Sequence, residues 1–218
     1  MAPISFSITP LTYDLVDPLA SLYASACFDN PGYTAIFLLE GDSKTKALHW
    51  FFVRRLTILH ARGAHILVAI DDKSGKVIGG VGLVPPSSRP RLIDKLSIVS
   101  SWLCSWGFSS FLRLLELDRL ASSGLVGAGE LELIMMAVDE KFRRNGVGGE
   151  MVHKLLTFAR NGDVIRLSTN KISNVRYYER FGFHLLLRQD IKMSDPNCES
   201  FSQWVMEINI KNKNGLHD

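Results

Sequence analysis

Apolar and polar residues alternate over positions 4–8, ISFSI, with the period of a short strand. The following PLASLYASACF is expected to be a helix, with Asp14 or Asp17 in the N-cap position and Pro18 in its first turn, where a missing N–H is tolerated. The cluster DNPGYT ends it. A second helix is predicted over 43–61, because Ala47, Trp50, Phe51, Arg54 and Ile58 recur at intervals of three and four before Gly63 closes the pattern. Two apolar runs, 65–70 and 77–84, flank DDKSGK and predict a hairpin with Ser74-Gly75 in its turn, stopped by Pro85-Pro86. Residues 89–129 have the weakest pattern. Leu112, Leu115 and Leu120 suggest one helix with a glycine-rich exit, so a helical insertion or lid is expected there. Beyond it come a strand (131–138), a helix (146–160), a strand (164–169), a short helix (174–181) and two strands, 183–193 and 203–210. Strand-helix-strand implies a parallel pair with a crossover helix, so the fold class is α/β, with helices and strands mixed in a single domain over 1–218. The sequence shows no internal repeat and no low-complexity tract.

Composition narrows the class little further. The 218 residues are 46% hydrophobic and 22% charged, and a chain of this size can bury about 70% of its surface in one core. Disorder and a disulfide framework are poor readings. Cys27, Cys104 and Cys198 form no CxxC pair, and His49, His60, His65, His153 and His184 show no ligand spacing, so no metal site is expected. The start, MAPISFSITP, has neither a basic n-region nor an apolar h-region. With an odd cysteine count this suits an intracellular, cytoplasmic protein, the nucleus being left open. The uncharged run 96–112 holds six serines and two tryptophans and is too short and polar to span a membrane. It lacks the basic face of a membrane-surface helix, which leaves a lid or a homodimer contact as the better readings.

Chemistry concentrates in residues 139–149, DEKFRRNGVGG, between an apolar strand and an amphipathic helix. A turn there presents backbone N–H groups at a helix N-terminus, where unsatisfied donors and the positive end of the dipole favour an anion. Gly146, Gly148 and Gly149 let a phosphate approach the main chain, and Arg143 and Arg144 add charge. The competing reading is a glycine-rich helix start that only packs tightly. No GK[ST] follows, and no GxGxxG with a downstream acid is present, so neither a Walker loop nor a dinucleotide fingerprint fits.

The segment Arg143-Arg144-Asn145-Gly146-Val147-Gly148 resembles the [RQ]-x-x-G-x-[GA] element with which the GNAT superfamily of N-acetyltransferases binds the pyrophosphate of acetyl-CoA. Downstream, Ser173 to Phe183, SNVRYYERFGF, resembles the family's N-x-x-x-Y-E-x-x-G-F element, and QWVM at 203–206 its closing strand. NVRYYERFGF together with CFDNP near the front resembles acetyltransferases of the puromycin-modifying type. The resemblance implies a mixed, splayed sheet of about seven strands flanked by helices, with a cofactor-binding core at about 130–193 and the helical insertion at about 89–129 before the cofactor-binding strand. It implies acetyl-CoA as cosubstrate, held by the main chain of Met136, Ala137 and Val138, by Arg143, Arg144, Asn145, Gly146, Val147, Gly148 and Gly149, and by Asn174. Tyr178 matches the family tyrosine beside the thioester sulfur, and Tyr177 is expected to face the core.

Those residue types suit the direct transfer of an acetyl group to a primary amine through a tetrahedral intermediate. An amine with a pKa near ~10 must lose a proton before it can attack. Glu132 is the candidate base, with Glu130 two residues away on the same strand face; solvated strand ends are the alternative for both. Tyr178 is the candidate acid for the departing thiolate, against a core tyrosine as the alternative. Trp50, Phe51, Phe52, Trp102 and Trp106 either wall an acceptor pocket or fill the core. The acceptor is expected to be a small molecule. A protein lysine or N-terminal acetyltransferase and a non-catalytic acyl-CoA-binding module are the alternatives, and the sequence has no nucleic-acid-binding pattern.

The net charge of +3 conceals a division. Residues 141–192 hold 11 Lys and Arg against 4 Asp and Glu, a surplus of +7, so the remainder carries −4. A basic segment suits the phosphates of coenzyme A and an acidic remainder suits a cationic amine.

Overall fold

The computed structural model describes residues 4–121, 127 and 129–211. Its strands are β1 (Phe6–Pro10), β2 (His65–Asp71), β3 (Val77–Val84), β4 (Leu131–Val138), β5 (Val164–Thr169), β6 (His184–Ile191) and β7 (Phe201–Asn209). Its α-helices are α1 (Tyr13–Ala26), α2 (Pro31–Phe37), α3 (Gly41–Ala61), α4 (Leu92–Ala121), α5 (Val147–Leu156) and α6 (Ile172–Glu179). The strands form one mixed sheet in the order β1-β2-β3-β4-β5-β7-β6, in which β4 and β5 are parallel and the other neighbours antiparallel.

Both sheet faces are covered, so central strands such as β2 are apolar almost throughout instead of alternating. Ile66 and Val68 point to one core with Leu19, Tyr23, Phe52, Leu56 and Trp102. Leu67 and Ala69 point to the other, with Met151, Leu155, Ile165 and Leu167. The strand predictions at 131–138, 164–169 and 77–84 coincide with β4, β5 and β3.

Several helices differ from expectation. α1 begins at Tyr13 with Thr12 at the N-cap, which places Pro18 inside the helix and not in its first turn. The DNPGYT break contains the start of a helix: Asn30 caps α2, its side chain accepting from the N–H groups of Gly32 and Tyr33, and Pro31 opens the first turn. The buried face of α3 runs through Ala47, Leu48, Phe52, Leu56 and Leu59, while Arg54 is exposed. α5 ends at Leu156, and the chain continues in i to i+3 turns that bond Thr157, Phe158 and Ala159 to Lys154, Leu155 and Leu156.

The 89–129 insertion contains one long helix, α4, kinked at Gly107 (φ 78°, ψ 170°). Trp102 anchors it in the core, stacked on Phe37 at 5.2 Å, and its Nε1 donates across the kink to Ser110 Oγ at 2.9 Å. Arg113 ties α4 to its surroundings, donating to the Ile36 carbonyl at 2.9 Å and pairing with Asp195 at 3.3 Å. No helix among the described residues is long and apolar enough to cross a membrane.

Candidate active site

The parallel pair β4–β5 opens almost as soon as it forms. Leu131 pairs with Ile165 and Glu132 with Arg166, after which the strands diverge. On its other edge β4 carries an extra residue, since Gly80 pairs with Ala137 but Gly82 with Ile134. Met135 absorbs this bulge at φ 51°, a left-handed conformation that costs a side-chain-bearing residue energy and re-aims the main chain beyond it. The divergence leaves peptide groups of Met136, Ala137 and Val138 along a cavity of about 970 Å³. A second cavity, about 550 Å³, adjoins it. Met136, Thr169, Asn174, Tyr178 and Cys27 line both, so the junction lies at the mouth of the splay.

The larger cavity receives the glycine-rich turn. Arg144 (φ 65°) and Gly146 (φ 83°) turn the chain sharply into α5, whose first ladder bond runs from Glu150 N–H to the Gly146 carbonyl. The N–H groups of the first turn therefore have no intrahelical acceptor and are available to an anion. Gly148 is closely approached: a Cβ there would lie 2.8 Å from Tyr177 Oη and 2.9 Å from Met136 Cε, so one of these side-chain ends would have to shift. Both expectations for the turn thus apply, a close-packed glycine and an open donor set. Arg143, Arg144, Lys171 and Arg180 line this cavity and no carboxylate does.

Of the sequence candidates, Met136, Ala137, Val138, Arg143, Arg144, Gly146, Gly148, Gly149, Asn174 and Tyr178 line the larger cavity. Asn145 and Val147 do not. The Asn145 amide donates back to the carbonyls of Phe142 and Arg143, bracing the turn, and Val147 is buried in the core. Asn174 donates to Thr169 Oγ1 at 2.9 Å and so ties α6 to the end of β5.

Tyr177 does not simply face the core as expected, and both tyrosines reach the larger cavity. Tyr177 is half-buried and lines the larger cavity, with Arg180 stacked 5.0 Å from its ring. Tyr178 is only 6% exposed, yet it reaches the junction of both cavities, and its hydroxyl has no protein partner among the described residues. Burial, with the neighbouring Tyr177 second, pushes Tyr178 well above the ordinary phenol range, so it is a neutral donor at physiological pH. Burial likewise pushes the Cys27 thiol up to about 11, against the opposing charge of Lys171, which leaves no thiolate at the junction.

The smaller cavity is bounded by α2, α3, α4 and the strand ends. Glu132 lines it. Glu130 is engaged elsewhere: Arg166 bridges Glu130 and Glu207 at 2.9 Å each, and Glu130 also accepts from Gly127 N–H. Phe51 is the member of the aromatic set that reaches this cavity, while Phe52 and Trp102 are fully buried in the core. Sequence reading missed Asn30, Tyr33 and Arg55 in the lining. The Asn30-Pro31 cap signal could have exposed α2 and with it Tyr33; nothing in the local pattern distinguishes Arg55 from a surface arginine. With Asp118 and Glu132 against one Arg55 in its lining, this cavity is acidic on balance, in keeping with the charge division in the sequence.

A splayed parallel pair, a bulged strand and a glycine-rich turn into a helix N-terminus together frame the larger cavity. The acetyltransferase (GNAT) family profile matches residues 30–183, well over half the chain, and the chain belongs to that family. Its activity is acetyl transfer from acetyl-CoA. The fold is shared with an acetyltransferase from Corynebacterium glutamicum described with the histone acetyltransferase HPA2, at TM-score 0.67 and 16% identity over 97% of this chain and 99% of that one. A phosphinothricin acetyltransferase from Sinorhizobium meliloti, solved with acetyl-CoA, aligns at TM-score 0.60 and 11% identity over 95% and 90%. A putative acetyltransferase from Salmonella typhimurium, also with acetyl-CoA, gives 0.55 and 14% over 95% of each chain. No curated protein matches the sequence significantly. Acetyl-CoA fits the residues present, because the larger cavity joins free N–H donors and four cations to unpaired strand edges.

Proposed function

We propose that the protein acetylates the primary amine of a small molecule. The observation that carries this reading is the 550 Å³ cavity between α2, α3 and α4, which opens on the Tyr178 junction and is of small-molecule size. When bound, acetyl-CoA supplies an acetyl group activated as a thioester. The side chains then divide the work. Glu132, in the smaller cavity, takes the proton that an amine must lose before it attacks. Backbone N–H groups of Met136 to Val138 donate to the oxygen that gains charge. Tyr178 Oη, neutral and unpartnered, donates a proton to the departing sulfur. Arg143, Arg144 and the α5 N-terminus hold phosphate charge at the far end.

Thiol release from acetyl-CoA, followed with a panel of small primary amines and with lysine-bearing and free N-terminal peptides, tests the reading. Small amines are expected to support release and peptides to give little. Release with peptides alone would transfer the assignment to a protein acetyltransferase, and acetyl-CoA binding without release with any acceptor would make it a binding module.

A further inference from the structure

We infer that the acceptor carries a carboxylate as well as its amine, and that Arg55 holds that carboxylate. This rests on the acetyltransferase reading above and names the substrate class more narrowly: an amino acid or a similar zwitterion.

Arg55 projects from α3 into the lining of the smaller cavity. Its Nε is buried and has no hydrogen-bond partner, and no salt bridge to its guanidinium is found among the described residues. Leaving a charged donor unpaired is unfavourable, so an anion brought to this guanidinium from the cavity would be favoured. Several other polar groups of the same wall are satisfied within the protein. Asn30 accepts from Gly32 and Tyr33 N–H, Asn170 donates to the Ser202 carbonyl, Gln203 accepts from Gln189, and Thr169 accepts from Asn174. Among the described residues, Arg55 is the one Lys or Arg side chain in the lining of this cavity.

Its charge is also distinct from the phosphate-binding set. Arg143, Arg144, Lys171 and Arg180 line the larger cavity, and Arg55 does not. Within the smaller one, Glu132 and Arg55 do not form an ion pair with each other, although both line the space. Arg55 shares this lining with the carboxylates of Glu132 and Asp118, a mixed set that suits a ligand carrying the complementary pair, an ammonium towards the carboxylates and a carboxylate towards Arg55. A guanidinium matches the two oxygens of a carboxylate in a planar, bidentate arrangement that an ammonium cannot reproduce. Tyr33 adds a hydroxyl on the same side. Burial raises its pKa far above the ordinary phenol value and the nearby Arg55 charge opposes that rise, so it remains a neutral donor beside the guanidinium. Phe51, Ile36, Leu114 and Phe201 supply apolar wall for the body of the molecule.

The test is calorimetric titration of the protein saturated with coenzyme A. The probes are the common amino acids, β-alanine and γ-aminobutyrate, each beside its carboxamide and its decarboxylated amine, with thiol release from acetyl-CoA measured in parallel. Among the acids that bind, the wild type is expected to prefer acid over carboxamide by about 10- to 100-fold. Arg55→Gln should abolish that preference while leaving acetyl-CoA affinity unchanged, and Arg55→Lys should restore part of it. Binding of none of the acids, equal binding of acid and carboxamide, or a preference that survives in Arg55→Gln would overturn the inference. If Arg55→Gln fails to bind acetyl-CoA, the wild-type comparison decides alone. Acid-selective binding without any thiol release would uphold the carboxylate site and overturn the transfer reading. Neutral amines turned over as fast as the acids would do the reverse.

Discussion

The two cavities that meet at Tyr178 are built by opposite means. The larger is lined, apart from Ala26, Cys27 and Asn30, by residues 136–181, which form two successive strand-helix units. Its frame is main chain, a bulge, a splayed strand pair, a helix start and glycines, to which four cationic side chains are added. The smaller draws on α2, α3, α4, β4, β5 and β7, from Cys27 to Gln203, and its features are side chains. A ligand common to a whole family can be held by backbone geometry, which leaves a compact glycine signature. A ligand particular to one protein is held by side chains brought together only by folding.

The largest expected effect lies in the side-chain-built half. Trp102→Ala removes a fully buried indole stacked on Phe37 and the bond that spans the α4 kink, and should lower stability by about 3–5 kcal/mol in urea unfolding. Where the variant remains folded, acceptor KM should rise while acetyl-CoA affinity changes little; an equal loss of both would erase the distinction between the halves. Tyr178→Phe tests the junction itself. Turnover should fall about 10²-fold with acetyl-CoA affinity kept, and unchanged turnover would remove Tyr178 from proton transfer.

Gly148→Ala acts on the backbone-built half. Its new Cβ meets Tyr177 Oη and Met136 Cε inside the van der Waals limit, so acetyl-CoA affinity should weaken by about tenfold with acceptor KM unchanged. The smallest effect concerns pH. Burial pushes Tyr177 up to about 12, so the folded state keeps its proton after the unfolded chain begins to lose it near pH 10. The associated stability is fully present below pH 10 and is lost as pH rises towards 12. Tyr177→Phe should therefore lose less stability than the wild type between those values in urea titrations, and parallel losses would contradict the assigned burial.

Legibility in the sequence followed the same division. β4 was readable as an apolar run interrupted only by Glu132 and β5 as an alternation of buried Ile165 and Leu167 with Arg166 and Ser168, and the phosphate turn because its donors, glycines and arginines are adjacent. Tyr178 came from a motif, but its setting relative to Tyr177 depended on how α6 rotates against the sheet. α2 was hidden because seven residues are too few for periodicity, despite the Asn30 cap and Pro31. The kink at Gly107 interrupted the helical period of α4. Arg55 carried no local signal at all, since its setting exists only once α3 packs against α1, α2 and α4.

A crystal structure with bound acetyl-CoA tests the central division most directly. The pyrophosphate should lie on the α5 N-terminus, the thioester sulfur within hydrogen-bond reach of Tyr178 Oη, and the acetyl group should point into the 550 Å³ cavity towards Glu132. An acetyl group directed away from that cavity, or a thioester remote from Tyr178, would contradict the account.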